Sequence, residues 1–124
     1  MKKRALVWAL VAMCNPALAG SGYEISVSIT QGDAVMTFPP IYVKALNEKG
    51  QSTFVDCTYT AMLEAQDEQS LRLDAEYICG RDGNVNSAKL PEFVFSSAGD
   101  RVQIEFGEQG QHYWKYVATI TPKQ

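Results

Sequence analysis

Histidine is nearly absent from this 124-residue sequence, and cysteine is scarce. The one histidine is His112, and the three cysteines are Cys14, Cys57 and Cys79. A Ser-His-Asp triad needs a histidine held by partners, and a zinc site needs several nitrogen or sulfur ligands. Because Cys14 lies in a removable leader and the other two cysteines are expected to pair, His112 has no such partners. No phosphate-cradling glycine loop is present either. The sequence therefore predicts a protein that is not an enzyme, with no metal and no cofactor.

Basic residues are also in short supply. Eleven lysines and arginines stand against fourteen acidic residues, and three of the basic ones are at positions 2–4. Loss of that leader leaves eight basic residues against fourteen acidic residues, a net charge of −6. Nucleic acids and anionic membranes require a basic face, so both are excluded as expected partners. A cationic partner suits this charge, although solubility alone is the simpler explanation.

Long hydrophobic runs are missing after the N-terminus, so no segment approaches the roughly 20 apolar residues of a membrane-spanning helix. The N-terminus has the parts of a secretory signal: a basic start, an apolar core over residues 5–13, and small residues at Ala17 and Ala19. We predict a signal peptide over residues 1–19, cleaved before Gly20, and one mature domain over residues 20–124. The expected location is the periplasm, with secretion or surface association as the alternatives. Lipid attachment at Cys14 is disfavoured because Met13 stands where a small residue is usual.

The two cysteines of the mature chain predict one disulfide, as expected for an exported domain. If Cys57 faces Cys79 in an antiparallel pair, the same register aligns a row of apolar or aromatic partners, namely Tyr59 with Tyr77, Ala61 with Ala75, Leu63 with Leu73, and Ala65 with Leu71. The opposite face is mostly polar. Because strands alternate with a period of two, agreement of the cysteines and the apolar face favours one hairpin over residues 52–80. The disulfide is expected to contribute about 3 kcal/mol, with two buried thiols as the alternative.

Alternating or β-branched segments recur through the rest of the mature chain, without a helical period. We expect further strands over residues 23–30, 34–38, 41–46, 92–96, 101–106 and 112–121. Pro39 and Pro40 are expected to end a strand, and residues 80–89 to form a mobile loop. Seven or eight short antiparallel strands in about 100 residues favour an all-β, immunoglobulin-like β-sandwich, with a small β-barrel as the alternative.

Three segments are candidates for a contact surface. The first is a tyrosine beside the proline pair, the second is the loop over residues 80–89, and the third is an aromatic run near the C-terminus. The candidate residues are Tyr42; Arg81, Asp82 and Asn84; and Tyr113, Trp114 and Tyr116. Strand alternation cannot bury both Tyr113 and Trp114 in one core, so one of these rings should face outward. Aromatic rings of this kind are common interface anchors.

Two other chemistries are weaker hypotheses. Glu64, Asp74 and Glu76 share the polar face of the hairpin, where a glycosidase-type carboxylate pair could lie, but ordinary cross-strand pairing is the simpler interpretation. Residues 82–86 have an Asp-x-Asn-x-Asn spacing that can present oxygens to calcium. An EF-hand also needs glycine and glutamate at later positions, and here Ser87 and Phe93 occupy them. A turn is therefore preferred.

These observations favour a non-enzymatic domain of a bacterial envelope that binds another envelope or secreted protein. It would act as an adaptor, an assembly factor or an accessory subunit of a surface or secretion system. The first alternative is a small acidic inhibitor, stapled by its disulfide, that enters the cleft of a cationic lysozyme or protease. The second is a carbohydrate-binding module, which requires Trp114 together with Tyr113 or Tyr116 on an exposed face.

Overall fold

The computed structural model describes residues 22–81, 83–107 and 112–123, apart from the side chain of Arg81. The described residues form nine strands: β1 (Gly22–Gln31), β2 (Ala34–Val43), β3 (Lys49–Phe54), β4 (Cys57–Ala65), β5 (Ser70–Arg81), β6 (Asn84–Lys89), β7 (Phe93–Ser96), β8 (Asp100–Phe106) and β9 (Trp114–Lys123). Two antiparallel sheets face each other, one in the order β2-β1-β9-β8 and one in the order β3-β4-β5-β6, with β7 pairing to another part of β5. The predicted β-sandwich is confirmed. None of the described segments is a helix long and apolar enough to cross a membrane.

Most strands that are neighbours in a sheet are also consecutive in the sequence. The exceptions are that β9 returns to pair with β1, and that β7 pairs with β5 beside β6. The chain therefore winds around its core almost in order, and the described connections are not the Greek-key crossovers typical of an immunoglobulin domain.

The central hairpin has the register that the sequence predicts. Cys57 lies opposite Cys79, and the four predicted apolar pairs, from Tyr59 and Tyr77 to Ala65 and Leu71, are all aligned as expected. The two cysteines form a disulfide. Along both strands the positions in step with the cysteines point into the core, while the intervening positions are half-buried or exposed. Hydrophobic periodicity and the cysteine pair thus specify one arrangement, as expected for a sheet with one buried face.

The predicted strand break at Pro39 and Pro40 is wrong, because β2 continues through both prolines. The pairing with β1 shifts between Ile25 and Val27, so a bulge accommodates the extra residue. β2 is an edge strand, so one of its sides has no partner strand in the sheet. A proline that lacks an N–H on that side removes no hydrogen bond between strands. The Pro39 carbonyl instead accepts a hydrogen bond of 2.6 Å from the buried Ser52 hydroxyl of the other sheet.

The predicted loop over residues 80–89 is also wrong in its larger part. Residues 84–89 form β6, which pairs with the second half of β5. Gly83, with a φ of 85°, lies in the turn between them. Most β6 side chains are exposed on both faces, so the strand has no hydrophobic alternation by which the sequence would reveal it.

A chain of aromatic rings joins the two sheets through the core. Phe38 of β2 packs against Tyr59 of β4, and Tyr116 of β9 stacks on Phe93 of β7 at 4.7 Å between ring centroids. The hydroxyl oxygens of Tyr59 and Tyr116 lie 2.7 Å apart and form a buried hydrogen bond. Burial raises the pKa of Tyr116 to about 12 and the pKa of Tyr59 well above its usual value, so both hydroxyls are neutral near neutral pH.

Candidate functional site

The two ends of the sandwich carry different sets of connections. The last residues of β1, β3, β5 and β8, with the described residues of the turns that follow them, lie together at one end, here called the open end. The Gly32 N–H donates to the Tyr113 carbonyl at 2.8 Å, which joins two of these turns, and the Gln31 side-chain amide donates to the Tyr77 hydroxyl of the opposite sheet at 3.0 Å. The connections after β2, β4 and β7 lie at the other end, here called the closed end.

Exposed hydrophobic side chains concentrate at the open end. Seven large hydrophobic residues are exposed in the described chain, and four of them lie within two residues of an open-end turn, namely Val35, Val55, Val85 and Phe106. The other three are Tyr42, Ile78 and Val94. Single exposed hydrophobic residues are ordinary on protein surfaces, whereas several grouped at one end are typical of interaction sites.

Val55 is the most exposed of these residues, with 70% of its surface accessible. It is the first residue of the two-residue turn between β3 and β4, and its φ of 54° lies in the left-handed region. Glycine is usual at such a position because a β-branched side chain is strained there. Val55 therefore has a strained backbone, which glycine would relieve, and it exposes an apolar side chain at the tip of the open end.

A cleft of about 420 Å³ opens beside this turn, at the mouth between the two sheets. Its lining is mostly apolar and comes from five strand ends and the turn after β3, in detail Met36, Phe54, Val55, Asp56, Cys57, Cys79, Gly80, Asn84 and Asn86. The disulfide lies in the wall of the cleft, and beyond it the Gly80 N–H donates to the Asp56 carbonyl at 3.0 Å. The volume falls within the usual range of ligand pockets.

Two asparagines occupy core-facing positions at the edge of this cleft. In the β5–β6 pairing Asn86 lies opposite Cys79 and Asn84 lies opposite Arg81. Side chains of directly paired residues share a face, so Asn86 continues the apolar row of Tyr59, Tyr77 and the cysteines on the inner face of the sheet. Both asparagines are exposed. The inner face therefore ends in amide groups that line the cleft.

The aromatic run lies at the same end, in a different arrangement from the one predicted. Trp114 is half-buried and stacks on Phe106 at 5.4 Å between ring centroids, and its centroid lies 6.1 Å from that of Tyr116. Tyr113 is half-buried, and its hydroxyl donates to Glu105 at 3.0 Å. Trp114 thus closes one edge of the core and does not stand free as a platform.

The structure separates the predicted contact residues. Asn84, Tyr113 and Trp114 lie at the open end, whereas Tyr42, which is 53% exposed, pairs with Glu24 toward the closed end. Tyr116 was expected on the contact surface, and that expectation is wrong because its ring is fully buried against Phe93 and Tyr59. The Arg81 side chain and Asp82 lie outside the described residues.

Several residues of the open end have no clear sequence signal. Val55 falls within the predicted hairpin arm, and only Asp56 after it hints at a turn. Met36 and Phe54 read as ordinary core positions, and Asn86 reads as part of a loop. Their shared position at one cleft follows from the pairing of β2, β3 and β6 within the two sheets.

Glu64 and Asp74, two of the three carboxylates singled out on the outer face of the hairpin, are paired with cations. Glu64 contacts Arg72, and Asp74 lies 3.2 Å from Lys89. Contact with Glu64 raises the pKa of Arg72. These contacts support cross-strand pairing for both carboxylates. His112 is exposed at the open end. Among the described residues no group of three or more His, Cys, Asp or Glu side chains could hold a metal ion.

Comparison with known proteins gives no assignment. No protein-family model, no curated protein and no solved structure matches this chain.

Proposed function

We propose that the mature chain is an exported, non-enzymatic domain of a bacterial envelope that binds another protein through its open end. The observation that carries this proposal is Val55, an exposed β-branched residue held in a left-handed conformation at the tip of a turn. Strain of this kind persists where the surrounding structure enforces it, and it concentrates at binding sites. Val35, Val85 and Phe106 are further exposed hydrophobic side chains near the turns of that end.

The proposed location follows from the predicted leader and from the disulfide. A disulfide is expected in an oxidising compartment such as the periplasm, where adaptors, assembly factors and accessory subunits of surface or secretion systems act. The exported protein is expected to begin at Gly20. An N-terminal mass for the mature protein checks this, and a lipid-modified Cys14 would contradict it.

A second candidate is an inhibitor of a cationic enzyme. Asp33 and Asp56 are exposed in two open-end turns, and the mature chain has a net charge of −6. An acidic tip would suit the basic cleft of a lysozyme or protease. The carbohydrate-binding alternative has less support, because Phe106 stacks on Trp114 and Tyr116 is buried.

The test is affinity capture from envelope extract with tagged residues 20–124, with the disulfide intact. Wild-type protein is compared with Val55→Gly, which removes the exposed side chain without straining the turn. The matched control is Val94→Ser, because Val94 is 52% exposed but lies on β7, away from the open end. We expect a specific partner to be lost with Val55→Gly and retained with Val94→Ser.

Salt separates the two candidate functions. A partner that stays bound at high salt supports the adaptor proposal, because apolar contacts are little screened by ions. A basic enzyme released at high salt supports the inhibitor. A partner captured equally by Val55→Gly and wild-type protein would contradict binding through the open end.

A further inference from the structure

We infer that the cleft beside the disulfide takes one large apolar side chain from an extended, basic segment of the partner, whose main chain is hydrogen-bonded by Asn84 and Asn86. This inference rests on the proposed function and names the feature of the partner that the open end recognises.

The shape of the cleft supports an apolar anchor. Met36 contributes the lining from one sheet, and all other lining residues come from the other sheet or its turns. Phe54 and Cys79 are only partly covered, although both pack against the core. The first sheet therefore leaves this corner of the second sheet open. Burial of a large side chain there would remove apolar surface from water on both partners, at roughly 25 cal/mol per Å².

The asparagines point to a peptide main chain. Each asparagine side chain offers a carbonyl acceptor and amide donors, which match the N–H and C=O of an extended segment. No hydrogen bond from either side chain to another part of the described chain is seen, and both side chains are exposed.

Charge makes a basic segment the best match. The mature chain carries six more acidic than basic residues, and Asp33 is exposed in the neighbouring turn after β1. Lysine or arginine beside the apolar anchor would therefore be attracted to this end, and acidic residues there would be repelled.

The experiment is an NMR titration of isotope-labelled residues 20–124 with three blocked tripeptides, Lys-Trp-Lys, Glu-Trp-Glu and Lys-Ala-Lys. We expect Lys-Trp-Lys to shift the backbone amide signals of Phe54, Cys79 and Asn86. Glu-Trp-Glu should shift the same signals with at least fivefold weaker affinity, and Lys-Ala-Lys should leave them unchanged. Shifts by Lys-Ala-Lys equal to those of Lys-Trp-Lys, or no shift at these residues by any peptide, would overturn the inference. A chitin trisaccharide that shifts them more strongly than Lys-Trp-Lys would also overturn it.

Two adjacent positions supply a matched pair of variants. Asn86→Phe places a ring on the cleft side of β6 and should weaken Lys-Trp-Lys binding at least tenfold. Ser87→Phe places the same ring on the opposite face of the strand and should bind as wild type, since alternate residues face opposite sides. If Asn86→Phe is poorly folded by circular dichroism, Asn86→Ala serves instead, with an expected loss of about fivefold from one hydrogen bond. Wild-type affinity in whichever of the two variants is folded would overturn the inference.

The capture assay separates this inference from the proposed function. If Val55→Gly abolishes capture while Asn86→Phe and Asn86→Ala capture like wild type, the open end binds its partner without a side chain in the cleft. That result overturns the inference and leaves the proposed function standing. Loss of capture with Asn86→Phe but not with Ser87→Phe supports both.

Discussion

At the closed end carboxylates fasten the connections, whereas the open end holds exposed hydrophobic side chains around a cleft. Asp67 accepts hydrogen bonds from the Gln69 N–H at 2.8 Å and from the Ser70 hydroxyl at 2.9 Å. Asp100 accepts hydrogen bonds from the Ser96 N–H at 3.0 Å and from the Arg101 N–H at 2.8 Å. Such local bonds satisfy the backbone groups of tight turns.

The strands of the open end are held together by other interactions. The Cys57–Cys79 disulfide and the part-buried hydrogen bond between Gln31 and Tyr77 join its strands, and the turn after β3 carries a strained valine. Carboxylate-fastened turns need no contact with a partner to be stable. Apolar turns around an internal disulfide leave their outer surface available for contact, and this contrast is the basis for proposing that the open end binds the partner.

The largest expected effect comes from removing the staple. The double variant Cys57→Ala/Cys79→Ala should lower the free energy of unfolding by about 3 kcal/mol, because the disulfide closes a loop with a sequence separation of 22 residues. Urea denaturation measures this loss. Hydrogen exchange should accelerate first in residues 54–58 and 76–81. Equal acceleration at both ends would contradict the assignment of the disulfide to the stability of the open end.

The tyrosine pair between the two ends should have the next largest effect. Tyr116→Phe leaves the Tyr59 hydroxyl buried without its partner, and we expect a loss of about 2 kcal/mol. The double variant Tyr59→Phe/Tyr116→Phe should cost clearly less than twice that amount, since neither ring then carries an unpaired hydroxyl. A double-mutant cycle by urea denaturation gives the coupling energy. Strict additivity would show that the hydroxyl pair does not join the sheets.

Relief of strain at the open end should have a smaller and opposite effect. Val55→Gly should raise the free energy of unfolding by about 1 kcal/mol, because glycine adopts a φ of 54° without the penalty of a side chain. Val35→Gly is the matched control, since Val35 is exposed in a regular strand where glycine should cost about 0.5–1 kcal/mol. Thermal unfolding of both variants tests this, and destabilisation by Val55→Gly would remove the argument from strain.

The smallest effect is local and depends on pH. Hydrogen bonds from backbone N–H groups lower the pKa of Asp67 and of Asp100. Because the folded-state pKa is lowered, the stabilisation of each turn is present above the usual carboxyl pKa and is lost as the pH falls through the lowered value. In an NMR titration the amide signals of Gln69 and Ser96 should shift with midpoints below the usual Asp value. Midpoints at or above the usual value would contradict this.

The parts of the fold that sequence could predict are those in which one face of a strand is buried. Ile25, Val27 and Ile29 alternate with polar residues, and the structure buries all three. The edge elements could not be predicted in this way. Pro39 and Pro40 suggest an end, yet a bulge lets β2 pass through them, and β6 is exposed on both faces and so has no period. At the edge of a sheet, backbone pairing with the adjacent strand decides whether a segment is a strand, even where the local sequence does not favour one.

The candidate site was predictable only in outline. The aromatic run indicated that one of its rings meets the surface, but Tyr116 is buried and Trp114 is half-covered by Phe106. The open-end cleft depends on which strand ends the two sheets bring together. Met36 and Asn86 lie 50 positions apart in the chain and are joined only by packing of the sheets.

By itself, the sequence determined the register of the central hairpin, because a period of two with a cysteine in each arm permits one arrangement of Cys57, Tyr59 and their partners. It also determined the inward face of β9. Only the tertiary structure decided where the sandwich stays open, because that depends on how far each sheet covers the other. The same packing decided that Val55 stands strained at the tip, with Asn84 and Asn86 facing an uncovered corner of the core.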